Sequence, residues 1–283
     1  MDFLNNPETD RIIQAAFVED VGDGDHTTLS ILAPQDRRRA RCLIKEAGIL
    51  AGVALAERIF ETVGQGVRFE KVLEDGVAVQ PGDVAFFVEG PARAILTAER
   101  IVLNFMQRMS GIATKTRHMV DLLDGVDCRL LDTRKTTPTV RHFEKWAGVI
   151  GGGTNHRFGL YDMVMIKDNH HDYAGGIRPA IERVQDYLQR KGLDLRIEVE
   201  TRNLAEVQEV LDVGGIHRIM LDNMSVEDMK AAVELIGGRY EVEASGNIDA
   251  HNVREKALTG VDFLSMGALT HSVNSLDISL KAY

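Results

Sequence analysis

Beyond residue 128 short apolar runs alternate with helix-patterned segments, and this alternation limits the fold more than any other feature of the chain. The runs are CRLLD, DMVMIK, LRIEVE, HRIMLD, YEVEAS and VDFLSM. Between them LAEVQEVLDV, VEDMKAAVELI and AHNVREKAL space their apolar residues at the helical interval. Strands that alternate with helices in this way form a parallel sheet with crossover helices. The runs end on Asp132, Lys167, Glu200, Asp222, Ser245 and, just past the sixth, Gly267. An α/β barrel assembles its active site from polar groups at the C-terminal ends of its strands, and an open doubly wound sheet uses the same end. Contributions from so many strands favour closure. AGVIGGG, residues 147–153, is available as a seventh strand.

The earlier half reads differently. DRIIQAAFV, residues 10–18, has helical spacing and leads into EDVGDGDHTT, whose glycines and aspartates predict a loop. Asp23 and Asp25 lack the further oxygen ligands and closing glutamate of a calcium loop. From Arg39 to Gly90 the signals are strands and turns around a helix at ALAERIFETV, with turn chemistry at Asp75-Gly76 and Pro81-Gly82-Asp83. Lys71 has no methionine neighbours, against a biotin or lipoyl carrier, and the region reads as an α+β domain. Residues 97–123 have the period of one long helix, with Arg100 near its expected start, where a cation calls for an anionic partner.

A length of 283 residues suits two domains, and 44% hydrophobic with 27% charged residues is ordinary globular composition. No apolar run is long enough for a membrane span, and the acidic start MDFLNNPETD is unlike a signal peptide, so a cytoplasmic protein without a membrane partner is expected. Cys42 and Cys128, without a CxxC partner, read as buried reduced thiols.

Charge is unevenly distributed. Residues 129–170 hold seven Lys and Arg against four Asp and Glu, a net +3, whereas the rest of the chain carries −13. An acidic protein with one compact cationic segment suits a small polyanion and lacks the extended basic face that nucleic acid requires. Arg134, Lys135, His156, Arg157 and Lys167 are the candidate anion ligands, and Gly151–Gly153 could add backbone N–H groups. No GKS or GKT follows the glycines, so they are not a P-loop. Glu200 and Asp222 each close a strand, and two carboxylates at one mouth can hold Mg²⁺ or steady a sugar. Ser245-Gly246-Asn247 and Gly267 match the phosphate site that barrels form after late strands, at a helix start. His142, His170 and His171 lack a zinc spacing. A Schiff-base lyase using Lys167 and a non-catalytic anion binder stay open on these residues alone.

EDVGDGDHTT, LTAERIVLNFMQRMSGIATKTR, LLDTRKTTP, GGGTNHRFGLYDMVMIKDNH, IEVET, IMLDNM, EASGNI and FLSMGALTHS together resemble the quinolinate phosphoribosyltransferases, in that family's order from about residue 19 to 272. The resemblance implies a seven-stranded α/β barrel with an N-terminal α+β open sandwich. The expected division is 1–115 for the sandwich and dimerisation, 116–272 for the catalytic barrel, and 273–283 for a tail returning to the N-terminal domain. It further implies a homodimer that shares its sites. Quinolinate would lie among Arg100, Arg134, Lys135, His156, Arg157 and Lys167. Phosphoribosyl pyrophosphate with Mg²⁺ would lie near Glu200, Asp222, Ser245, Gly246, Asn247 and Gly267, with Lys135, Lys167, Glu200 and Asp222 the catalytic groups. The implied products are nicotinate mononucleotide, pyrophosphate and CO₂. One departure stands out: the family usually has glycine after the proline of DTRKTTP, and this chain has Thr139.

Overall fold

A computed structural model describes residues 2–283. The chain divides into two compact units. One comprises the residues up to Arg117 with Thr136–Gly152 and Leu269–Tyr283, the other His118–Lys135 with Gly153–Ala268. Residues 136–152 thus pack with the first unit, although they lie inside the sequence range expected for the barrel.

The first unit is built on a four-stranded antiparallel sheet in the order Ile278–Ala282, Arg37–Ile44, Val84–Pro91, Arg68–Lys71. Along Arg37–Ile44 the side chains of Ala40, Cys42 and Ile44 are buried while Arg39 and Arg41 are exposed, the period of two that gives a strand one dry face. Helix Val53–Val63 buries Val53, Leu55, Ala56, Ile59 and Phe60 in the same core as Phe86. Gly52 at its start has no side chain to cap it. Asp75, in the predicted turn, does so instead, its carboxylate accepting from Val53 N at 2.8 Å and Ala54 N at 3.3 Å. The long helix runs Ala92–Asp121, so Arg100 lies more than two turns inside it. The dipole argument for Arg100 therefore fails, because that field fades within the first turn.

The second unit holds six parallel strands in the order Arg129–Leu131, Phe263–Ser265, Glu241–Ser245, Arg218–Asp222, Ile197–Thr201, Val164–Ile166. The first strand pairs with the last, Phe263 opposite Arg129, and the others follow in sequence order, as in a barrel rather than an open doubly wound sheet. The second place of this array is a single bridge between Leu131 and Thr154. AGVIGGG does not supply that strand. Its first residues end the helix Arg141–Ile150, which buries Phe143 and Ala147 four residues apart, and its glycines form the turn that follows.

The crossover helices start and stop where their caps dictate. Asn203 accepts from Glu206 N and Ser225 from Asp228 N, while Gly192 and Gly237 end their helices in the left-handed conformation. Val199, Ile219, Leu221, Val242, Ala244 and Leu264 are buried aliphatic residues of the strands. Their alternating neighbours Glu198, Glu200, Arg218, Asp222, Glu243 and Ser245 share the other face, largely charged, with the buried Met220 and Phe263.

Candidate active site

That charged face determines the site. Glu198 lies opposite Arg218 in register, and Arg218 Nη1 is 2.9 Å from Glu243 Oε2 and 3.9 Å from Glu198 Oε2. Glu241 Oε2 accepts from Arg218 Nη2 at 2.9 Å and from Arg196 Nη2 at 2.6 Å. His156 enters from the segment after Thr154, held by Asp132 at the end of the first strand. The carboxylate of Asp132 accepts from His156 N at 2.8 Å and from Asn155 Nδ2 at 2.6 Å. The His156 ring is buried, with Nε2 3.1 Å from Glu198 and 3.2 Å from Glu243. It therefore faces these carboxylates. Burial alone would lower its pKa, but the two glutamates outweigh that and raise it to about 9. Arg157 N donates to Nδ1 at 2.7 Å, and the opposite edge of the ring, Nε2, is the one turned to the carboxylates. Burial, and then the charge of Glu243, push the Glu198 carboxyl up.

His156, Glu198 and Glu243 bring ligand atoms within 4.8 Å of one another, a set able to hold a divalent cation. Arg218 already provides a positive charge there, so the cluster is compensated without one.

Arg157 extends from this cluster, its Nη1 donating to Met163 O at 3.2 Å. Burial, and then the neighbouring charge of Arg134, push its pKa down. Two guanidiniums close enough to repel have a geometry that an anion between them would relieve. Arg134 is half-buried at the end of the first strand, and Lys135 beside it is exposed. Across the array Lys167 Nζ is 3.9 Å from Glu200 Oε2. Glu200 is itself raised by burial and then by the charge of Asp222, so a second like-charged pair, this time acidic, lies near the lysine.

The late-strand loops lie beside Asp222. Asn223 N donates to Ser245 O at 3.0 Å, and Asn247 Nδ2 donates to Asn223 Oδ1 at 2.9 Å. The following helix begins only at Val253, so Ser245-Gly246-Asn247 is a loop in its own right and not a helix start. Gly267 stands directly before the short helix Ala268–His271. Of the candidate ligands singled out in the sequence, Arg100, Gly151 and Gly152 belong to the first unit and the others to the second; Arg100 is exposed.

Residues 25–110 match the model of the quinolinate phosphoribosyl transferase N-terminal domain, and residues 112–281 match that of the C-terminal domain. The chain belongs to the quinolinate phosphoribosyltransferase family. The chloroplastic carboxylating nicotinate-nucleotide pyrophosphorylase of Arabidopsis thaliana is 50% identical over 285 residues, covering 95% of this chain and 81% of the relative. A probable nicotinate-nucleotide pyrophosphorylase of Bacillus subtilis is 40% identical, covering 98% of this chain and 94% of that one. The crystal structure of NadC from Streptococcus pyogenes shares the fold with a TM-score of 0.91 at 39% identity, covering 98% and 97% of the two chains.

As a quinolinate phosphoribosyltransferase the chain is an enzyme, and its structure adds residues that the motifs left without a task. Glu198, Glu243 and Arg218 form the buried ionic cluster, Asp132 fixes the segment of His156, and Asn223 joins Asp222 to the 245–247 loop. The signal for the glutamates was present in IEVE and EVEAS. Acidic residues alternating with aliphatic ones on a strand between two others must share one face.

Proposed function

We propose that this enzyme transfers the phosphoribosyl group of phosphoribosyl pyrophosphate to the ring nitrogen of quinolinate, with loss of the 2-carboxylate, to give nicotinate mononucleotide, pyrophosphate and CO₂. The observation that carries this reading is the half-buried Arg157 beside Arg134: burial first, and then the charge of Arg134, push the Arg157 pKa down, and a multiply charged anion would offset both. Quinolinate's adjacent carboxylates fit such a pair bidentately, with Lys135 and Lys167 completing the charge. Arg157 is positioned through His156, which the interior carboxylates hold.

Glu200 and Asp222 fit a Mg²⁺ ion, because the repulsion that raises Glu200 is what a divalent cation beside the pair would relieve. Bound there, directly or through water, Mg²⁺ would supply charge for the departing pyrophosphate. Lys167 holds the Glu200 carboxylate toward the ribosyl side, where Glu200 and Asp222 stabilise positive charge developing on the sugar ring. Ser245, Gly246, Asn247 and Gly267 take the donor's phosphates. The pyridine nitrogen attacks the anomeric carbon from the face opposite pyrophosphate. Once ribosylated, the cationic ring stabilises the carbanion left by CO₂, so the substrate is its own electron sink.

In the same proposal residues 1–115 serve dimerisation, 116–272 catalysis, and Arg100 reaches the quinolinate of the partner's site across a two-fold axis. A cytoplasmic location accords with Cys42 and Cys128, both buried free thiols; among the described residues no helix is long and apolar enough to cross a membrane.

The test is product analysis with quinolinate or nicotinate, phosphoribosyl pyrophosphate and Mg²⁺. Nicotinate lacks the 2-carboxylate and would leave a cation unpaired, a penalty of about 3–5 kcal/mol for comparable broken pairs. It should turn over at least about a hundredfold more slowly. Comparable rates with the two acids would overturn the assignment.

A further inference from the structure

The loop Ser245-Gly246-Asn247 is shaped by residues outside it. Gly246 has φ 89°, Asn247 φ 49° and Asn223, on the neighbouring loop, φ 54°. Asparagine is among the few residues with a side chain that enter this region at modest cost. The two left-handed segments are fastened together. The Asn223 amide lies where a Cβ of residue 246 would be, which restricts that position to glycine. Its Oδ1 accepts from Asn247 Nδ2 and its Nδ2 donates to Asp222 Oδ2, both at 2.9 Å.

The loop's carbonyls are then taken one by one. Ser245 O accepts from Asn223 N at 3.0 Å, Gly246 O from Lys256 Nζ at 2.8 Å, and Asn247 O from Asn252 Nδ2 at 2.8 Å. Lys256 is half-buried, and burial pushes its pKa down, so the ammonium pays desolvation to reach a backbone oxygen. Three consecutive carbonyls are thus directed to protein donors, which favours the N–H edge of the backbone as the one that faces a ligand. That edge attracts an anion, whereas a single carbonyl turned outward would repel it.

We propose that Asn223 and Lys256 are positioning residues of the phosphoribosyl side: together they lock loop 245–247 with its amides toward the donor's phosphate and couple that loop to Asp222. Neither needs to touch the donor. The proposal rests on the assignment of loop 245–247 to the donor's phosphates. Lys256 acts by withdrawing the Gly246 carbonyl. Asn223 acts by filling the space beside Gly246 and by tying Asp222 and Asn247 to one amide, so that a phosphate in the loop and a cation or sugar at Asp222 meet a fixed spacing.

Three variants test this, with KM measured separately for the donor and for quinolinate and thermal stability measured alongside. Asn223→Gly keeps the left-handed backbone accessible and removes only the amide. Lys256→Met keeps the aliphatic stem and removes the ammonium, and Lys256→Arg restores a cationic donor. Losing one such fastening should raise the donor KM about tenfold, the effect of one net hydrogen bond. Quinolinate KM should stay within about twofold, and Lys256→Arg should recover most of the loss. An unchanged donor KM in Asn223→Gly and Lys256→Met, or equal rises in both KM values tracking a fall in melting temperature, would overturn the proposal. Gly246→Ala, whose Cβ would meet the Asn223 amide and displace the loop's backbone, is run in parallel and separates the two levels. If it raises the donor KM while the other variants do not, only the positioning roles fail. If it too leaves the donor KM unchanged, the loop is not the phosphate site.

Discussion

Thr139 stands where the family usually has glycine, and its backbone has φ 70°. The turn has kept the conformation that glycine favours while carrying a β-branched side chain. An L residue in the left-handed region costs about 1–2 kcal/mol relative to its ordinary conformations. Its flanks hold it there. Glu144 accepts from Thr137 N at 3.0 Å and from Thr137 Oγ1 at 2.8 Å, and Arg141 Nε donates to Thr136 Oγ1 at 2.9 Å. Replacing Thr139 by glycine removes the strain but gives back about 0.5–1 kcal/mol, because glycine loses more freedom on folding. Thr139 is exposed, so no buried contact is lost with the side chain. The net expectation for Thr139→Gly is a gain of about 0.5–1 kcal/mol, or about 1–4 °C in melting temperature for a chain of this size. Thr139→Val, which keeps the branched Cβ, should gain nothing. Thermal and denaturant unfolding of the three proteins, with kcat as a check that the neighbouring Lys135 is undisturbed, decide the matter. A glycine variant no more stable than the natural chain, or a valine variant equal to glycine, would refute the strain argument.

Glu200→Gln should abolish most activity and yet stabilise the protein near neutral pH. The folded pKa of Glu200 is raised above its ordinary value of 4.5, so its favourable contribution belongs to the protonated form and is lost as pH rises; the gain in melting temperature should vanish at pH values below that ordinary range. Glu144→Ala removes a buried carboxylate that accepts from Arg108 Nε at 3.0 Å, from Arg108 Nη2 at 2.8 Å and from Thr137, and should cost about 3 kcal/mol in denaturant unfolding. Arg134→Ala should raise the KM for quinolinate, and Asp222→Ala that for the donor; a rise confined to quinolinate in both would dissolve the proposed division of the pocket. Mixing Arg100→Ala with Arg134→Ala protein should restore activity after subunit exchange, since a heterodimer would contain one site without either defect; a mixture no more active than its parts would place Arg100 outside the partner's site.

The βα alternation and the polar strand ends were legible in the sequence because each is a local pattern: apolar periodicity, or a polar residue at a fixed place after it. What was not legible depends on tertiary register. AGVIGGG reads as an apolar run, and only the packing of Phe143 and Ala147 with the first unit makes it the end of a helix. Arg100 seemed close to a helix start because the helix's first turn, ARAI, contains none of the usual capping residues, and the start was set too late. His156 was grouped with the cations of its segment, but its ring is claimed by Glu198 and Glu243, which follow it by 42 and 87 positions and meet it only through the strand order. Asn223 and Lys256 had no signal of their own, since their importance lies in which carbonyl or amide they reach.

The ionic interior also bears on why the two guanidiniums can exist side by side. Burying charged groups in a barrel is costly, and an apolar interior of similar volume would often be as stable or more so. Arg157, however, is subject to opposing influences: burial and Arg134 lower its pKa, while the negative charge of Glu198 below it raises it. Arg218 lies beside the same carboxylates, and His156 connects them to the backbone of Arg157. Glu198 is thus a counter-charge for Arg157 supplied by the strands and not by a ligand. A carboxylate on the ligand side of Arg134 and Arg157 would give the same electrostatic relief and block the site. Alternating glutamates on adjacent strands supply that field, which accounts for charged residues in strands whose other face is mostly aliphatic.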